Sequence, residues 1–335
     1  MRILVTGGNG YIGSHTVRQL LAAGHRVLVL DNFSNSKQEV KIEIQRLCNL
    51  SYDLEEVDIL DNDKLECAFR NFQPEAVMHF AGLKAVAESF KVPEKYYREN
   101  VVGLLNILQL MEKYSCKNIV FSSSATVYGL PTILPITEEH GLNPISPYGR
   151  SKLVGENIIK DWSNAGSDRS AVILRYFNPV GAHSSGLIGE NPTGVPSNLF
   201  PIILRTILGI QPNLEIYGYD YDTHDGTAAR DYIHIEDLAS AHLAALDLLA
   251  VFEGVETFNV GTGRSYTVLD VIKAFEHVTK IQVPYKFVDR RSGDAPNCFA
   301  DVAKIKRVLG WTSQYGLHQM CDTAWNWCET TKPLT

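Results

Sequence analysis

Tyr148 and Lys152 lie four residues apart in the stretch SPYGRSKLVGE, where their side chains would share one face of a helix. Ser146 is a suitable N-cap and Pro147 suits the first helical position, so we predict that a helix begins here. A nearby ammonium stabilises a phenolate, and we therefore expect the pKa of Tyr148 to fall from about 10 towards neutrality. Such a tyrosine is a general base for an alcohol substrate, although the same two residues also occur as a plain surface pair.

Three glycines form a second candidate site after the first predicted strand. Gly7, Gly10 and Gly13 in TGGNGYIGSH are spaced G-x-x-G-x-x-G, which lets the backbone approach a pyrophosphate at the positive end of a helix. A merely tight turn would carry the same glycines. Asp31, at the end of the second predicted strand, is placed to accept hydrogen bonds from an adenosine ribose. Its carboxylate would repel a 2′-phosphate, so the sequence favours NAD over NADP.

The ends of later predicted strands extend this site. In a parallel sheet, ligands collect at the carboxyl ends of the strands, so residues at these positions are candidates for binding. The residues are Asp58 and Ile59 in VDI, Phe80, Ala81, Gly82 and Lys84 in HFAGLK, and Ser124 in FSSSATVYG. Ser124 would project into the same crevice as Tyr148.

Short apolar runs alternate with amphipathic segments through the first half of the chain. RILVTGG, HRVLVLDN, AVMHFAG, NIVFSSSA and SAVILRYFN are predicted strands, with helices such as YIGSHTVRQLLAAG between them. This pattern predicts an α/β fold, a doubly wound parallel sheet of the Rossmann type. We predict a dinucleotide-binding domain over 1–177 and a smaller C-terminal α/β substrate-binding lobe over 178–335. The strand TFNVGTG, near 256–262, would return to the main sheet.

The composition excludes several classes of protein. A net charge of -7 over 335 residues, with no basic run, argues against a nucleic-acid surface. No apolar stretch reaches the roughly 18 residues that span a membrane, and the N-terminus shows no signal-peptide pattern. The six cysteines form no C-x-x-C pair, so we expect free thiols and a cytoplasmic location. The ten histidines show no metal-ligand spacing, and no metal is predicted.

Ser124, Tyr148 and Lys152 behind a glycine-rich dinucleotide motif resemble the extended short-chain dehydrogenase/reductase family. The closer similarity is to the UDP-hexose 4-epimerases, and it covers nearly the whole chain. The segments that look like those of this family, in its order, are VTGGNGYIGSHT, HFAGLKAVAES, FSSSATVYG, SPYGRSK, LRYFNPVGAH, DGTAARDYIHIEDLA and VLDVIKAFE.

The resemblance implies a reaction that oxidises and then reduces C4 of a UDP-sugar. Tyr148 would take the proton from the sugar O4, and Ser124 would hydrogen-bond the reacting oxygen. Lys152 would hold the charge of the tyrosine and a nicotinamide ribose hydroxyl. Hydride would leave C4 and return to the other face of a transient 4-keto sugar, so NAD would stay bound.

The resemblance also carries two sets of binding residues onto this sequence. The cofactor set comprises Gly7, Gly10, Tyr11, Ile12, Gly13, Asp31, Asn32, Asn35, Ser36, Asp58, Ile59, Phe80, Ala81, Gly82, Lys84, Asn100, Ser122, Tyr148, Lys152 and Phe177. The UDP-sugar set comprises Lys84, Ser124, Tyr148, Asn178, Asn198, Leu199, Tyr217, Arg230, Arg291, Asp294 and Cys298. Arg230 and Arg291 also suit a diphosphate chemically, although an ordinary surface pair would look the same. Asp294 could equally be a turn residue in SGDAP.

The sequence departs from the patterns of the family in three places. Glu99-Asn100 stands where relatives carry paired asparagines, so a contact at position 99 is doubtful and only Asn100 is kept as a candidate. Ala125 and Thr126 stand where sugar-4,6-dehydratases have an Asp-Glu pair, which disfavours dehydration. Cys298 stands where members restricted to glucose and galactose often have a tyrosine. It would leave space for an N-acetyl group, or it is simply a small buried residue.

We therefore predict an NAD-dependent 4-epimerase for UDP-GlcNAc and UDP-GalNAc and for UDP-glucose and UDP-galactose. Its products would feed galactose metabolism or surface polysaccharide synthesis. The alternatives are an epimerase restricted to UDP-glucose and UDP-galactose, a net NAD-linked sugar-nucleotide oxidoreductase, and a non-catalytic nucleotide-sensing module. The helices around YYRENVVGLLNILQLMEKY and SPYGRSKLVGENIIKDW predict a homodimer, as the resemblance suggests, although burial within the monomer would give the same pattern.

Overall fold

The computed structural model of the chain describes residues 1–191, 196, 198–291 and 293–332. The chain divides into two compact units that interleave along the sequence. The first unit comprises Met1–Gly129, Gly141–Tyr176 and Ala239–Phe258, and the second comprises Leu130–His140, Phe177–Leu238 and Asn259–Thr335.

The strands and helices follow one another in alternation through most of the first half. The strands are β1 (Arg2–Thr6), β2 (Arg26–Asp31), β3 (Asp53–Glu56), β4 (Ala76–His79), β5 (Asn118–Ser124), β6 (Ser170–Tyr176), β7 (Asn178–Val180), β8 (Leu214–Tyr217), β9 (Ala229–Arg230), β10 (Tyr232–His234), β11 (Gly254–Val260), β12 (Tyr266–Thr267), β13 (Tyr285–Val288) and β14 (Asn297–Cys298). The helices are α1 (Tyr11–Ala22), α2 (Val40–Cys48), α3 (Asn62–Phe72), α4 (Val86–Ser89), α5 (Pro93–Tyr97), α6 (Gly103–Lys113), α7 (Pro147–Asn164), α8 (Leu199–Ile207), α9 (Ile235–Leu249), α10 (Val268–Thr279), α11 (Ala303–Leu309) and α12 (Leu317–Thr331). A π-helical turn, Arg98–Val102, joins α5 to α6, and a short 3-10 turn, Ala125–Val127, follows β5.

A seven-stranded sheet organises the first unit, in the order β11-β6-β5-β4-β1-β2-β3. All pairings from β3 to β6 are parallel. The strand order reverses between β1 and β4, and in doubly wound sheets ligands bind at the carboxyl ends of the strands beside such a switch point. The predicted doubly wound α/β fold is confirmed. β11 takes the place predicted for the returning segment near 256–262.

The central strands are buried along almost their whole length and mostly apolar, because both faces of the sheet are covered. Every residue of β4 and β6 is buried. Apolar side chains of the sheet pack in one cluster with Leu65 and Phe69 of α3 and with Ile107 and Met111 of α6. This packing fixes the strand ends, from which most of the predicted site residues project.

The second unit has its own apolar core and smaller sheets. β7 pairs with β10, β8 pairs with β13, and β9 lies between β12 and β14. The core includes Phe200 and Ile203 of α8, Phe275 of α10, and Met320 and Trp327 of α12. This composition agrees with the α/β character predicted for the C-terminal lobe.

One change of unit falls between Tyr176 and Phe177, and two further segments depart from a single division of the chain. Leu130–His140 belongs to the second unit, where Ile136 bridges to Ala300 and its amide donates to the Phe299 carbonyl over 2.9 Å. Ala239–Phe258 belongs to the first unit, because it contains most of β11. Among the described helices, none combines the length and apolar character needed to cross a membrane.

Candidate active site

The glycine-rich turn between β1 and α1 forms a cradle with no room for side chains. An added Cβ at Gly13 would lie 2.3 Å from the Gly7 carbonyl oxygen, and Gly7 itself has a φ of +69°. Gly10 is the N-cap of α1 and provides no side-chain hydrogen bond to the helix. The backbone can therefore approach a ligand closely at the positive end of a 12-residue helix. These features fit the pyrophosphate of a dinucleotide.

Asp31 lies at the end of β2 beside this cradle, with its carboxylate held from several sides. Its Oδ2 accepts from the Asn9 amide over 3.0 Å, and its Oδ1 accepts from the Ser36 hydroxyl over 2.7 Å. Tyr52 donates to the Asn9 side chain over 2.9 Å. The structure thus brings Ser36 onto Asp31 and fixes the carboxylate where a ribose contact is predicted. Sequence reasoning missed Asn9 and Tyr52, and no local pattern marks Tyr52, because its contact comes from the tertiary fold.

The other predicted cofactor residues of the first unit converge on the same edge of the sheet. An added Cβ at Gly7 would lie 2.8 Å from the Ala81 amide nitrogen, so the turns after β1 and β4 touch. The Lys84 ammonium lies 5.8 Å from the centroid of the Tyr11 ring. Asn32 donates to Asp58 over 3.0 Å.

The remaining cofactor candidates are more scattered. The Phe80 ring lies 4.7 Å from the ring of His242, and Ile59 is buried. Asn35 is exposed, and Ile12 is partly exposed in α1. Phe177 belongs to the second unit.

Asn100 fastens the loop after β4 to α7. Its Oδ1 accepts from the Leu83 amide over 2.8 Å, while its Nδ2 donates to the Leu83 carbonyl and to Ser151 Oγ, over 3.1 and 2.9 Å. Both side-chain N–H groups are thus committed to the protein. Its role as a cofactor contact stays a prediction. Burial, and secondarily the charge of Asp58, raises the pKa of its neighbour Glu99.

Ser124, Tyr148 and Lys152 are brought together by β5 and α7. Ser146 caps α7 through a 3.0 Å hydrogen bond from the Gly149 amide, as predicted. Tyr148 then lies in the first turn, where its hydroxyl is hydrogen-bonded to Ser124. Lys152 follows one turn later, and its Nζ donates to the Ser122 carbonyl over 2.8 Å. The arrangement is that of an acid-base pair with an adjacent cation.

Thr126 has a local role that the sequence did not reveal. Its amide donates to Ser124 Oγ over 3.2 Å, and its hydroxyl lies 3.0 Å from the same atom. With donors directed at its lone pairs, the Ser124 hydroxyl is oriented to donate to Tyr148. Thr126 thus supports the serine in place of the dehydratase carboxylate.

Burial controls the protonation of the site, and it corrects one expectation from the sequence. Desolvation raises the pKa of Tyr148, and the hydrogen bond from Ser124 only partly offsets this rise. The prediction that Lys152 draws the pKa of Tyr148 towards neutrality is therefore wrong for this structure. Burial also lowers the pKa of Lys152 to about 8. Burial, followed by the charge of Lys152, lowers the pKa of His79 to about 3, so that imidazole is neutral.

Three predicted UDP-sugar contacts meet in the second unit. Arg230 Nη2 lies 2.7 Å from Asp294 Oδ1, and its Nη1 donates to the Ala295 carbonyl over 2.8 Å. Cys298 lies opposite Arg230 in the parallel pairing of β14 with β9. Burial raises the pKa of the Cys298 thiol to about 11, so the thiol is neutral.

The remaining predicted contacts of this unit are spread over other elements. The Arg291 guanidinium stacks 3.7 Å from the centroid of the Tyr217 ring, at the end of β8. Asn178 is exposed in β7, and Asn198, just before Leu199 and α8, donates to Glu190 over 2.9 Å. Arg230 thus contacts Asp294 and the Ala229 and Ala295 carbonyls, whereas Arg291 stacks on Tyr217, and the structure gives no direct contact between the two arginines.

Asp231 is a residue of this region that sequence reasoning missed. It is fully buried, and its carboxylate accepts from the Thr262 and Gly263 amides and from the Ala300 amide. Burial raises the pKa of Asp231 to about 6. The sequence feature that could have identified Asp231 is its position directly after the candidate Arg230 in ARDYIHIED.

In the part of the chain that the structure describes, one group of side chains has spacing compatible with a metal ion. It consists of His224, Asp225 and Asp270. Asp225 is held by Thr227 and Thr267, and Asp270 Oδ2 accepts from the Thr267 amide over 3.1 Å at the start of α10. These carboxylates therefore serve the capping of a helix, and we assign no metal to them.

The fold and the arrangement of residues have counterparts among known proteins. The model of the NAD dependent epimerase/dehydratase family matches residues 3–261. The UDP-glucose 4-epimerase of Bacillus subtilis (strain 168) is 49% identical over 98% of this chain and 96% of that protein. A structure of the Stenotrophomonas maltophila UDP-glucose-4-epimerase with bound NAD and formylated UDP-arabinopyranose has a TM-score of 0.97 at 42% identity, covering 100% of both chains. The Campylobacter jejuni UDP-Glc/GlcNAc 4-epimerase has a TM-score of 0.86 at 36% identity, covering 98% of this chain and 99% of that chain.

A Rossmann sheet, a dinucleotide cradle and a Ser-Tyr-Lys site define an NAD-dependent protein of the extended short-chain dehydrogenase/reductase type. The chain belongs to the NAD-dependent epimerase/dehydratase family. Its relatives within that family include UDP-glucose 4-epimerases, which confirms the resemblance found in the sequence. Membership of an NAD-dependent family also confirms the predicted cofactor.

Proposed function

We propose that this protein is an NAD-dependent 4-epimerase that interconverts UDP-glucose and UDP-galactose. The observation that carries the proposal is the hydrogen-bonded Ser124 and Tyr148 pair, with Lys152 one helical turn further on and a dinucleotide cradle in the same unit. The names of the relatives support the choice of sugar nucleotide.

The residues divide the proton chemistry between them. Tyr148 Oη takes the proton from the sugar O4 and later returns it, while Ser124 Oγ hydrogen-bonds the same region. When bound, NAD supplies a hydride acceptor and then a hydride donor for C4 of the sugar. Burial makes the phenolate of Tyr148 a strong base, and the hydrogen bond from Ser124 lowers the free energy needed to form that phenolate.

The second unit supplies groups for the nucleotide. Arg230 and Arg291 offer planar guanidinium groups that suit a diphosphate, and they offset locally the negative charge of the chain. Asp294 neutralises part of the Arg230 charge, with a 2.7 Å contact. We assign the UDP portion to this set, with Asn178, Asn198, Leu199 and Tyr217 as further contacts.

The direct test is proton NMR of the purified protein with UDP-glucose and no added NAD. We expect the anomeric signal of UDP-galactose to grow to a constant mixture, and we expect Tyr148→Phe to slow its growth by about 10³-fold. The Tyr148→Phe protein should still release NAD on denaturation, which controls for loss of cofactor binding. A requirement for free NAD, with accumulation of NADH, would instead indicate the net oxidoreductase. Full activity of Tyr148→Phe would contradict the proposed chemistry.

We further propose that the enzyme also acts on UDP-GlcNAc and UDP-GalNAc. Support comes from the small, neutral side chain of Cys298 beside Arg230, and from the Campylobacter jejuni neighbour, which is named for both glucose and GlcNAc. Most of the similar proteins are named for UDP-glucose alone, so UDP-glucose is the expected main substrate.

Variants of Cys298 test this wider specificity. We expect Cys298→Tyr to lose at least about 10-fold in kcat/KM for UDP-GlcNAc while activity on UDP-glucose changes much less, because a ring fills the space for the acetyl group. Cys298→Ser preserves the volume and should retain both activities. Wild-type protein that converts UDP-glucose but leaves UDP-GlcNAc unchanged would rule out the wider specificity.

We also propose that the protein is a cytoplasmic homodimer that serves galactose metabolism or surface polysaccharide synthesis. Exposed apolar side chains on α6 and α7 support the dimer. They include Leu105 and Val154. The location and the pathway stay predictions from the sequence.

A further inference from the structure

Glu156 continues the helical face that presents Tyr148 and Lys152. The three residues follow one another at intervals of four in α7, and Glu156 has no exposed surface. Its Oε1 accepts from the Ser123 hydroxyl over 2.6 Å. Ser123 directly precedes Ser124, so the helix that carries the tyrosine is bonded to the strand that carries the serine.

Arg175 completes this contact from the neighbouring strand. Its Nε and Nη2 donate to the two oxygens of Glu156 over 2.9 and 2.6 Å, and its side chain is 2% exposed. Its Nη1 donates to the Tyr128 hydroxyl over 2.9 Å. Lys160 adds a weaker contact, with Nζ 3.9 Å from Glu156 Oε2 at the surface. Every oxygen of the buried carboxylate therefore has a donor.

The Glu156–Arg175 ion pair makes hydrogen bonds to residues that precede and follow Ser124 in the chain. One ends on Ser123 and the other on Tyr128, which lies at the end of the short turn that Ser124 caps. Lys152 adds a third connection between α7 and β5 by its bond to the Ser122 carbonyl. The mutual position of Ser124 and Tyr148 thus depends on contacts buried one layer below them.

We propose that Glu156 and Arg175 are positioning residues for the acid-base pair. The inference rests on the proposed function, since it concerns the geometry of Ser124 and Tyr148 during proton transfer. Through Ser123 and Tyr128 the ion pair sets the position of Ser124, and through α7 it sets the position of Tyr148. Both side chains are committed to protein groups, so we assign neither of them a contact with the substrate.

A purely structural role is the competing explanation, because a buried ion pair that loses one member generally destabilises a protein. The same interior also holds hydrogen bonds that have no connection with Ser124. Ser170 in β6 donates to the Phe252 carbonyl over 2.6 Å, at the opposite end of the strands. Ser123 and Ser170 are both buried serines with hydrogen bonds of equal length, so they form a matched pair.

The experiment compares Ser123→Ala with Ser170→Ala in the holoenzyme. Ser123→Ala removes one bond of the positioning network but leaves the ion pair intact. We expect kcat for UDP-glucose to fall by about 10- to 100-fold, because small misplacements of reacting groups have effects of this size. KM should stay within about twofold and NAD should be retained, since Ser123→Ala leaves unchanged the residues proposed to bind the UDP portion, which belong to the other unit. Ser170→Ala should keep wild-type kcat and KM at a similar melting temperature.

The pH profile of kcat provides a second readout. The hydrogen bond from Ser124 lowers the pKa of Tyr148, so a displaced serine allows that pKa to rise. The acidic limb of the profile should move to higher pH in Ser123→Ala and should not move in Ser170→Ala. Tyr128→Phe, which keeps the ring and removes only the hydroxyl, should give a smaller shift in the same direction.

The experiment distinguishes failure of the proposed function from failure of the positioning role. The proposed function fails when wild-type protein does not epimerise UDP-glucose. In that case the ¹³Cζ resonance of Tyr148, assigned by its loss in Tyr148→Phe, still reports its contact with Ser124. A resonance that moves in Ser123→Ala and not in Ser170→Ala supports the positioning role. Equal kcat, pH limb and ¹³Cζ shift in the two alanine variants would overturn it.

Discussion

Burial acts on Tyr148 and Lys152 in opposite directions, and both effects favour the neutral forms. The pKa of Tyr148 rises, and that of Lys152 falls to about 8. The reaction requires the opposite state, a phenolate beside an ammonium. Forming the charged pair in this desolvated site therefore costs free energy, and the phenolate is correspondingly more basic once it has formed.

This view predicts the effect of removing the buried charge. In protein freed of nucleotide, Lys152→Met should raise the free energy of unfolding at pH 7 by about 3 kcal/mol, the equivalent of the lowered pKa. Below pH 8 the native lysine is charged at a cost, whereas the unfolded lysine is charged without one. Between about pH 8 and 10.5 the native state loses its proton first, so the wild type gains stability relative to the variant as pH rises.

Urea unfolding of both proteins at pH 7 and at pH 10 measures this difference. The advantage of Lys152→Met should shrink at the higher pH, and the variant should lack epimerase activity. As a control, Lys41→Met replaces a lysine near the Tyr52 ring, and this variant should not reproduce the gain in stability at pH 7. A variant less stable than wild type at pH 7 would show that the Ser122 carbonyl fully compensates the buried ammonium.

At the scale of elements, the start of α1 depends on close contact between backbone segments. A methyl group at Gly13 would meet the Gly7 oxygen at 2.3 Å, and backbone cannot move aside as a side chain can. Gly13→Ala should therefore lower the free energy of unfolding by about 1–3 kcal/mol and release NAD during purification. Gly141→Ala is the control, since nothing lies within 4 Å of its added Cβ. Retention of stoichiometric NAD by Gly13→Ala would argue against the cradle.

The sequence predicted the helices and strands whose formation is determined by residues within the element itself. Ser146 and Pro147 mark the start of α7, and continuous apolar runs mark β4 and β6. Only the end of β3 was predicted, through Asp58 and Ile59, because the polar sequence DLEE of this edge strand has no apolar pattern. β9 and β14, which place Cys298 beside Arg230, are two residues each and pair across a long sequence separation. Short strands of this kind are defined by their partners.

Site residues, like the elements, were predicted where the signal is local. Residue types and motif order were enough to select Ser124, Tyr148, Lys152 and the glycine turn as candidates. The sign of the Tyr148 pKa shift was predicted wrongly because it depends on desolvation, which a local sequence does not reveal. Glu156 had a signal, the third member of a four-residue spacing. Arg175 had none, because its partner Glu156 lies on α7 and only the tertiary fold brings α7 against β6.

At the scale of the whole molecule, sequence order and spatial units do not coincide. If a single boundary at 177 divided the chain, Leu130–His140 would lie in the first unit and Ala239–Phe258 in the second, but the structure has the reverse. The net charge of -7 likewise hides local cations, since Arg230, Arg290 and Arg291 all lie in the second unit. The exchange of Ala239–Phe258 follows from β11, which brings a late part of the chain into the sheet of the first unit, whereas that of Leu130–His140 follows from the bridge of Ile136 to Ala300.

The proposed homodimer depends on exposed apolar residues of two neighbouring helical segments. On the first unit, Val102, Leu105 and Val154 are exposed along the π-helical turn, α6 and α7. Apolar residues that recur on exposed helix faces are typical of surfaces covered by another chain. A two-fold axis would bring each helix against its own copy, so one charged substitution introduces two like charges at the interface.

Leu105→Glu combined with Val154→Glu should therefore convert the protein to a monomer, measured by sedimentation equilibrium over a range of concentrations. Val251→Glu is the control, because Val251 is 84% exposed in the turn after α9 and belongs to neither helix. The double variant should still bind NAD, since the cradle lies within one chain. A wild-type protein that sediments as a monomer would exclude the dimer, and a double variant that remains dimeric would move the interface to another surface.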